Sequence, residues 1–222
     1  SMGVPPSLFQ YVLTAGEDLH TRIDRGNDPF YGRLGDAYYY VGPSQSALLD
    51  DLPLRKKSEL NEADFILVMG PDDWHDDLSE FSELLEEAVQ LKLPMVCANP
   101  NIGGFETGEL HWEAGAIGKL YQQLGGQVHY HGKPEQSFFK AALNCFDDTP
   151  ITKIIHIGDS IEADVRGAQQ CGLDVAFTPY GIHSEDVTVF DEPGLSLAKL
   201  GEKWFAANSM QLPTFLIPGF KW

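Results

Sequence analysis

The stretch Ile154-Ile155-His156-Ile157-Gly158-Asp159-Ser160-Ile161-Glu162-Ala163-Asp164 decides how this chain is read. An apolar strand ends in Gly-Asp, a helix opens at once, and a second aspartate follows five residues after the first. In open parallel α/β sheets, sites gather beyond the carboxyl ends of strands, which is where this order puts Asp159. The glycine lets another backbone or a ligand come close. One carboxylate can then coordinate a hard cation while the other steadies its waters or orients the loop. Acidic residues that merely cap and solvate a helix start give the same local pattern, so the stretch alone leaves both readings open.

Working outward, strand-length apolar runs at 11–13, 37–41, 64–69, 94–98, 127–131, 153–157, 173–177 and 214–217 alternate with helical periods. Several of the runs are continuously apolar, as parallel strands buried on both faces are. Helices are expected at 44–52, 77–92, 111–124, 135–146, 161–171 and 195–207. In the second of these, Leu78, Phe81, Leu84, Leu85, Ala88 and Val89 form one stripe and Glu80, Glu83, Glu86 and Glu87 face solvent. Strand–helix alternation at this spacing predicts βαβ units and a Rossmann-like parallel sheet, an α/β fold. The Gly/Asp/Pro-rich stretch 25–35 and Gly125-Gly126 read as hinges. They predict an inserted α/β domain at 31–126 and a discontinuous core made of 1–30 and 127–222.

Composition narrows the function. Against 33 Asp+Glu there are 15 Lys+Arg, a formal net charge of −18, and basic residues cluster only at Arg55-Lys56-Lys57. Nucleic acids are held by clustered cations, so no nucleic-acid partner is expected. With 43% hydrophobic residues the chain can bury a core. No apolar run approaches the ~20 residues of a membrane helix, and no secretion signal is visible. Cys97, Cys145 and Cys171 are far apart and outside any CxxC pattern, so reduced, buried thiols in a cytoplasmic protein are expected.

Two further strand ends carry chemistry. In Tyr130-His131-Gly132-Lys133-Pro134, a lysine fixed between glycine and proline can set its ammonium on a phosphate oxygen, or it can be a solvated turn lysine. In Val12-Leu13-Thr14-Ala15-Gly16-Glu17, Thr14 can donate its hydroxyl to a phosphate while the amides of Ala15 and Gly16 add the pull of a helix start. An ordinary threonine N-cap fits the same residues. His129 and His131 share one strand face but have no third ligand at metal spacing, so packing roles are expected. The acidic loop 72–77 reads as a solvated helix start, and Trp74 and Trp112 as core aromatics that could also line a pocket.

Taken in order, Thr14, then Lys133, then Asp159 with Asp164 resembles the second, third and fourth motifs of the haloacid dehalogenase (HAD) superfamily of phosphotransferases. The insertion between Thr14 and Lys133 resembles the α/β cap of its NagD-like class IIA branch. Cys97-Ala98-Asn99-Pro100 with its Gly-rich loop, Ala114-Gly115-Ala116-Ile117, Gly132-Lys133-Pro134, Tyr180-Gly181-Ile182-His183-Ser184-Glu185 and Pro213-Thr214-Phe215 are similar to a group of sugar phosphatases in that branch.

The resemblance implies a Mg²⁺-dependent hydrolysis of small, phosphosugar-like esters through an aspartyl-phosphate. Asp159 would be metal ligand, with Asp164 as its partner or support. Thr14 and Lys133 would act on the phosphoryl group, and Ala15, Gly16, Asn99 and Asn101 would lie near substrate. Two departures stand out. The superfamily's first motif is Asp-x-Asp, and no two aspartates here stand at i and i+2. Ser1-Met2-Gly3-Val4-Pro5-Pro6 matches the loop before the second motif, so the nucleophile strand and its helix are expected to be missing and this chain inactive as given. Such a loss should leave two unpaired strand edges. The cap motif reads Asn99-Pro100-Asn101 where relatives often have Asn-Pro-Asp. The alternatives are a non-catalytic phosphate-ligand binding or regulatory protein on the same scaffold, and a flavodoxin-like binding domain. A homo-oligomer is left open.

Overall fold

Phe65-Ile66-Leu67-Val68 has no polar side, so as a strand it needs apolar cover on both faces. In the computed structural model all four residues are buried in β3 (Phe65–Val68), at the middle of a five-stranded parallel sheet. The structure describes residues 5–26, 29–43, 48–71, 77–106, 109–146, 148–183, 196–207 and 211–218. They divide into two compact units, Ser1–Gly132 and Lys133–Trp222.

In the first unit β3 pairs with β1 (Ala37–Val41) and β4 (Met95–Cys97). Beyond them lie β2 (Arg55–Lys57) and β7 (Val128–Tyr130), giving the order β2-β1-β3-β4-β7. Ile66, Val68, Met95 and Cys97 face Leu85 and Ala88 of α2 (Ser82–Gln90) and Ile117 and Tyr121 of α3 (Ala114–Gln123). Phe65, Leu67 and Val96 face Leu19 of α1 (Ala15–Arg25), with Tyr31, Leu34, Leu49 and Leu52. Helices and loops on both faces of a parallel sheet are the α/β arrangement that strand–helix alternation implies. A separate antiparallel pair, β5 (Gly103–Glu106) and β6 (Glu109–Trp112), precedes α3.

The second unit holds a three-stranded parallel sheet in the order β10-β9-β8. Its strands are β8 (Ile155–Gly158), β9 (Asp174–Phe177) and β10 (Phe215–Leu216). Val175, Phe177 and Leu216 pack with Phe139 of α4 (Gln136–Leu143), Val165, Ala168 of α5 (Gly167–Gln170), and Leu200, Trp204 and Phe205 of the Leu197–Ala207 helix. Among the described residues β8 is paired on one side only. Ile155 and Ile157 on it, and Phe215 on β10, are exposed.

The structure differs from the sequence reading at several places. Residues 11–13 form no strand; Tyr11 and Val12 are exposed, and without a partner strand an apolar run gains nothing by extending. Within the run 127–131, Val128–Tyr130 form β7, which pairs with β4. α1 buries Leu19 against Phe65, Leu67 and Val96 in the first unit. Of the helix expected at 44–52, residues 44–47 lie outside the described residues and 48–52 are turn. The start of the expected helix 111–124 is strand, because His111 and Trp112 pair with Gly104 and Gly103. Cys97 is buried, but Cys145 and Cys171 are only partly so; all three are free thiols.

Candidate functional site

Asp164 is the hub. It lies one helical turn beyond Ser160 and is 2% exposed. Its Oδ1 accepts from Lys133 Nζ at 2.6 Å and from His156 Nε2 at 2.9 Å. Its Oδ2 accepts the backbone amides of Asp159 at 3.1 Å and Ser160 at 3.0 Å. Burial pushes this carboxyl upward, but the hydrogen bond from His156, the charge and hydrogen bond of Lys133 and the Ser160 amide together hold it well below the ordinary carboxylate range.

Local sequence explains the assembly. β8 delivers His156 to the face opposite Ile155 and Ile157. Gly158 follows, where a Cβ would overlap the Asp164 carboxylate. Ser160 then caps the next turn, its hydroxyl accepting from the Ala163 amide at 3.1 Å. A π-helical segment, Ile161–Arg166, brings Asp164 back under the loop, with the amides of both Asp164 and Val165 reaching the Ser160 carbonyl. The outcome is that Asp159 is held by its backbone and its side chain is left to act. That carboxylate accepts the Ile182 amide at 3.0 Å through Oδ2; Oδ1 has no hydrogen-bond partner among the described residues.

Three of the residues singled out in the sequence, Lys133, Asp159 and Asp164, therefore converge beyond the carboxyl end of β8. Thr14 belongs to the first unit, where it caps α1. Its Oγ1 accepts the Glu17 amide at 3.1 Å, and Glu17 returns a bond to the Thr14 amide at 3.3 Å. Ala15 and Gly16 form the first turn of that helix. Asn99 is taken up locally, its side-chain amide donating to Glu113 and its Oδ1 accepting the Asn101 amide. Asn101 itself is exposed and accepts the Gly115 amide through its carbonyl.

His131 is packed rather than ligating: 1% exposed, it bonds the Tyr31 hydroxyl through Nε2 and Asp18 through Nδ1 at 3.2 Å. His129 stacks on Phe30 with ring centroids 4.0 Å apart. Arg55 pairs with Asp36, Lys57 with Glu62, and Lys56 sits over the Tyr40 ring, so the basic triplet is spent within the first unit. Of the acidic loop, only Asp77 is described, and it caps the helical turn at Ser79; Trp74 lies outside the described residues.

The metal expectation can be tested on this donor set. Asp159 fits as a carboxylate ligand to a hard cation. Asp164 has both oxygens doubly engaged, which leaves it the supporting role. Among the described residues no group of three or more His, Cys, Asp or Glu could hold a metal by itself. Sequence reasoning missed His156; the signal was a lone polar residue in an otherwise apolar strand, facing away from its isoleucine neighbours.

The HAD-hydrolase-like family profile matches residues 130–201, the segment that carries Lys133, Asp159 and Asp164. Over that segment the chain is similar to HAD-like hydrolases. A haloacid dehalogenase-like hydrolase from Brucella suis is similar over 88% of this chain and 74% of its own, with 29% identity and a TM-score of 0.72. The fold is also that of the p-nitrophenyl phosphatase from Archaeoglobus fulgidus. That match has 17% identity and a TM-score of 0.64, over 95% of this chain and 74% of that one. A third match, described as a possible sugar phosphatase of the HAD superfamily from Cytophaga hutchinsonii, has 17% identity and a TM-score of 0.66 over 92% and 69%. No curated protein matches the chain. Among the described residues no helix is long and apolar enough to cross a membrane.

Proposed function

We propose that this chain is the greater part of a Mg²⁺-dependent HAD phosphatase acting on small phosphate esters, phosphosugars among them, and that it is inactive as given. The observation that carries the proposal is the convergence of Lys133, Asp159 and Asp164 at the end of β8. In the completed enzyme Thr14 joins them, residues 1–30 and 127–222 close around an added central strand, and 31–126 act as the cap. The one-sided pairing of β8 and its exposed Ile155 and Ile157 support such a strand, as does the exposure of Tyr11 and Val12.

The roles follow from charge. Lys133, its side chain 41% exposed although paired with Asp164, neutralises a phosphoryl oxygen as charge shifts in the transition state. Thr14 donates a hydroxyl hydrogen bond to the same group. Asp159 offers its open carboxylate oxygen to the cation, which when bound would offset repulsion between carboxylate and phosphate and polarise the phosphoryl oxygens. An aspartate supplied by the added strand attacks phosphorus as the ester oxygen leaves, taking a proton from the second carboxylate of Asp-x-Asp to depart as the alcohol; water then hydrolyses the aspartyl-phosphate, releasing inorganic phosphate and restoring the carboxylate. Asn101, near the cap loop, is proposed to contact the leaving group, with Asn99 shaping that loop and the amides of Ala15 and Gly16 facing the phosphate. The substrate class is argued from the fold shared with p-nitrophenyl and sugar phosphatases.

The test is p-nitrophenyl phosphate hydrolysis in Mg²⁺. The 222-residue protein should show no turnover. A version carrying an added amino-proximal strand and helix with Asp-x-Asp should hydrolyse the ester and lose that activity on Asp159→Ala. Turnover by the 222-residue protein itself, abolished by Asp159→Ala, would refute the inactivity claim. Phosphate binding without turnover in both versions would favour a non-catalytic phosphate-binding role.

A further inference from the structure

We propose that the turn Tyr180–His183 is a latch that aims the Asp159 carboxylate, with His183 as its anchoring, positioning residue. The inference rests on the reading of Asp159 as the cation-facing carboxylate, and it adds a part of the chain to which no role has been given. Three contacts carry it. The Ile182 amide donates to Asp159 Oδ2 at 3.0 Å. Gly181 lies so close that a Cβ there would overlap the Asp159 side chain, so the turn bears directly on the carboxylate. His183 then ties the turn to the chain just past Asp159, its Nε2 accepting the Ile161 amide at 3.4 Å.

The anchor is itself fixed. The His183 ring lies 5.1 Å from the ring of Trp204 and 6.4 Å from that of Phe177, two side chains of the second unit's buried core. The Asp159 loop is thus gripped twice. Asp164 holds its backbone amides, and the turn holds one carboxylate oxygen while leaving the other open. A carboxylate with one oxygen committed to a fixed donor has lost most of its rotational freedom, which is what pre-organises a ligand for a cation. The Ile161 amide is an unfilled donor at a helix start, so a neutral imidazole nitrogen accepting it removes an otherwise unpaired group. The side chain of Ile182 stays 57% exposed, so the turn acts through its backbone and not by burying that residue.

The test is amide hydrogen exchange, followed by NMR on the ¹⁵N-labelled 222-residue chain, with Mg²⁺ then titrated in. In the wild-type chain the Ile182 amide should exchange at least about tenfold more slowly than in Asp159→Ala or Gly181→Ala. His183→Leu should speed exchange at Ile161 and Ile182 together, and His183→Gln, which keeps an acceptor, should restore slow exchange at Ile161. Equal Ile182 exchange in wild type and Asp159→Ala, or equal effects of the leucine and glutamine changes, would overturn the latch. Should Asp159→Ala not fold, the Gly181→Ala and His183 comparisons decide alone. Mg²⁺ should shift the Ile182 resonance in the wild-type chain. A missing shift with the exchange pattern intact would sink the cation reading while still supporting the latch.

Discussion

Lys133 Nζ lies 2.6 Å from Oδ1 of Asp164, on the same oxygen that receives a hydrogen bond from His156. A lysine 31 residues away along the chain and a histidine on the preceding strand thereby share one buried acceptor. Removing the histidine should not free the carboxylate but leave it short of one donor. His156→Leu is expected to cost about 1.5–3 kcal/mol, the usual worth of a hydrogen bond to a charged group. Urea unfolding would measure it, and an unchanged midpoint would show that Lys133 alone satisfies Asp164.

Acid should act on the same carboxylate. The folded protein holds Asp164 below its ordinary value, because His156 and Lys133 outweigh the upward push of burial. Unfolding then takes up a proton at low pH, so the contribution of Asp164 is whole above the unfolded value of about 3.9 and is lost as pH falls through the lower folded value. Asp18 has the same sign: burial raises it, and the hydrogen bonds from His131 and Arg22 lower it further than burial lifts it. Unfolding curves between pH 3 and pH 7 should therefore show stability falling on the acid side. Asp164→Asn should be less stable at neutral pH and should lose part of that slope. An equal slope in both proteins would contradict the assignment.

The buried pair in the first unit makes a separate prediction. His131 connects Tyr31 to Asp18, and Asp18 also accepts from Arg22 at 2.9 Å. His131→Ala would leave a cavity and remove the ring's hydrogen bonds to Tyr31 and Asp18, at an expected cost of about 2 kcal/mol or more. Asp18→Asn, which keeps the shape, should cost less. The two urea midpoints would settle the order.

Thiol chemistry gives a fourth handle. Burial pushes the Cys97 thiol up to about 12, and Cys97 lies in the core between β3 and β7. Cys145 and Cys171 are only partly buried. A thiol-exchange reagent near neutral pH should label Cys145 and Cys171 in the native protein and reach Cys97 only on unfolding. Rapid native labelling of Cys97 would contradict the packing of β4.

Much of this was legible in the residues. Continuous apolar runs such as Phe65–Val68 announced parallel strands, and Lys133, Asp159 and Asp164, singled out at strand ends, do cluster beyond β8. What failed was tertiary in origin. Residues 11–13 look like a strand, but extension needs a neighbouring strand, and no sheet among the described residues includes them. Residues 127–131 were read as a strand, and that Val128–Tyr130 would take the parallel edge of Met95–Cys97 was not written in them. The role of His156 depends on a carboxylate eight positions later returning beneath its strand, which a π-helical segment brings about and periodicity does not foretell. Gly181 and His183 were visible as a motif but silent about their contacts.

The central claim is that Thr14, Lys133 and Asp159 surround one phosphoryl group. Titrating inorganic phosphate with Mg²⁺ into the ¹⁵N-labelled version that carries the added Asp-x-Asp strand tests this proposal without requiring turnover. The account predicts that the amides of Thr14, Ala15, Lys133 and Asp159 shift together along one saturation curve. Shifts at only one of these places, or at different phosphate concentrations for each, would contradict it.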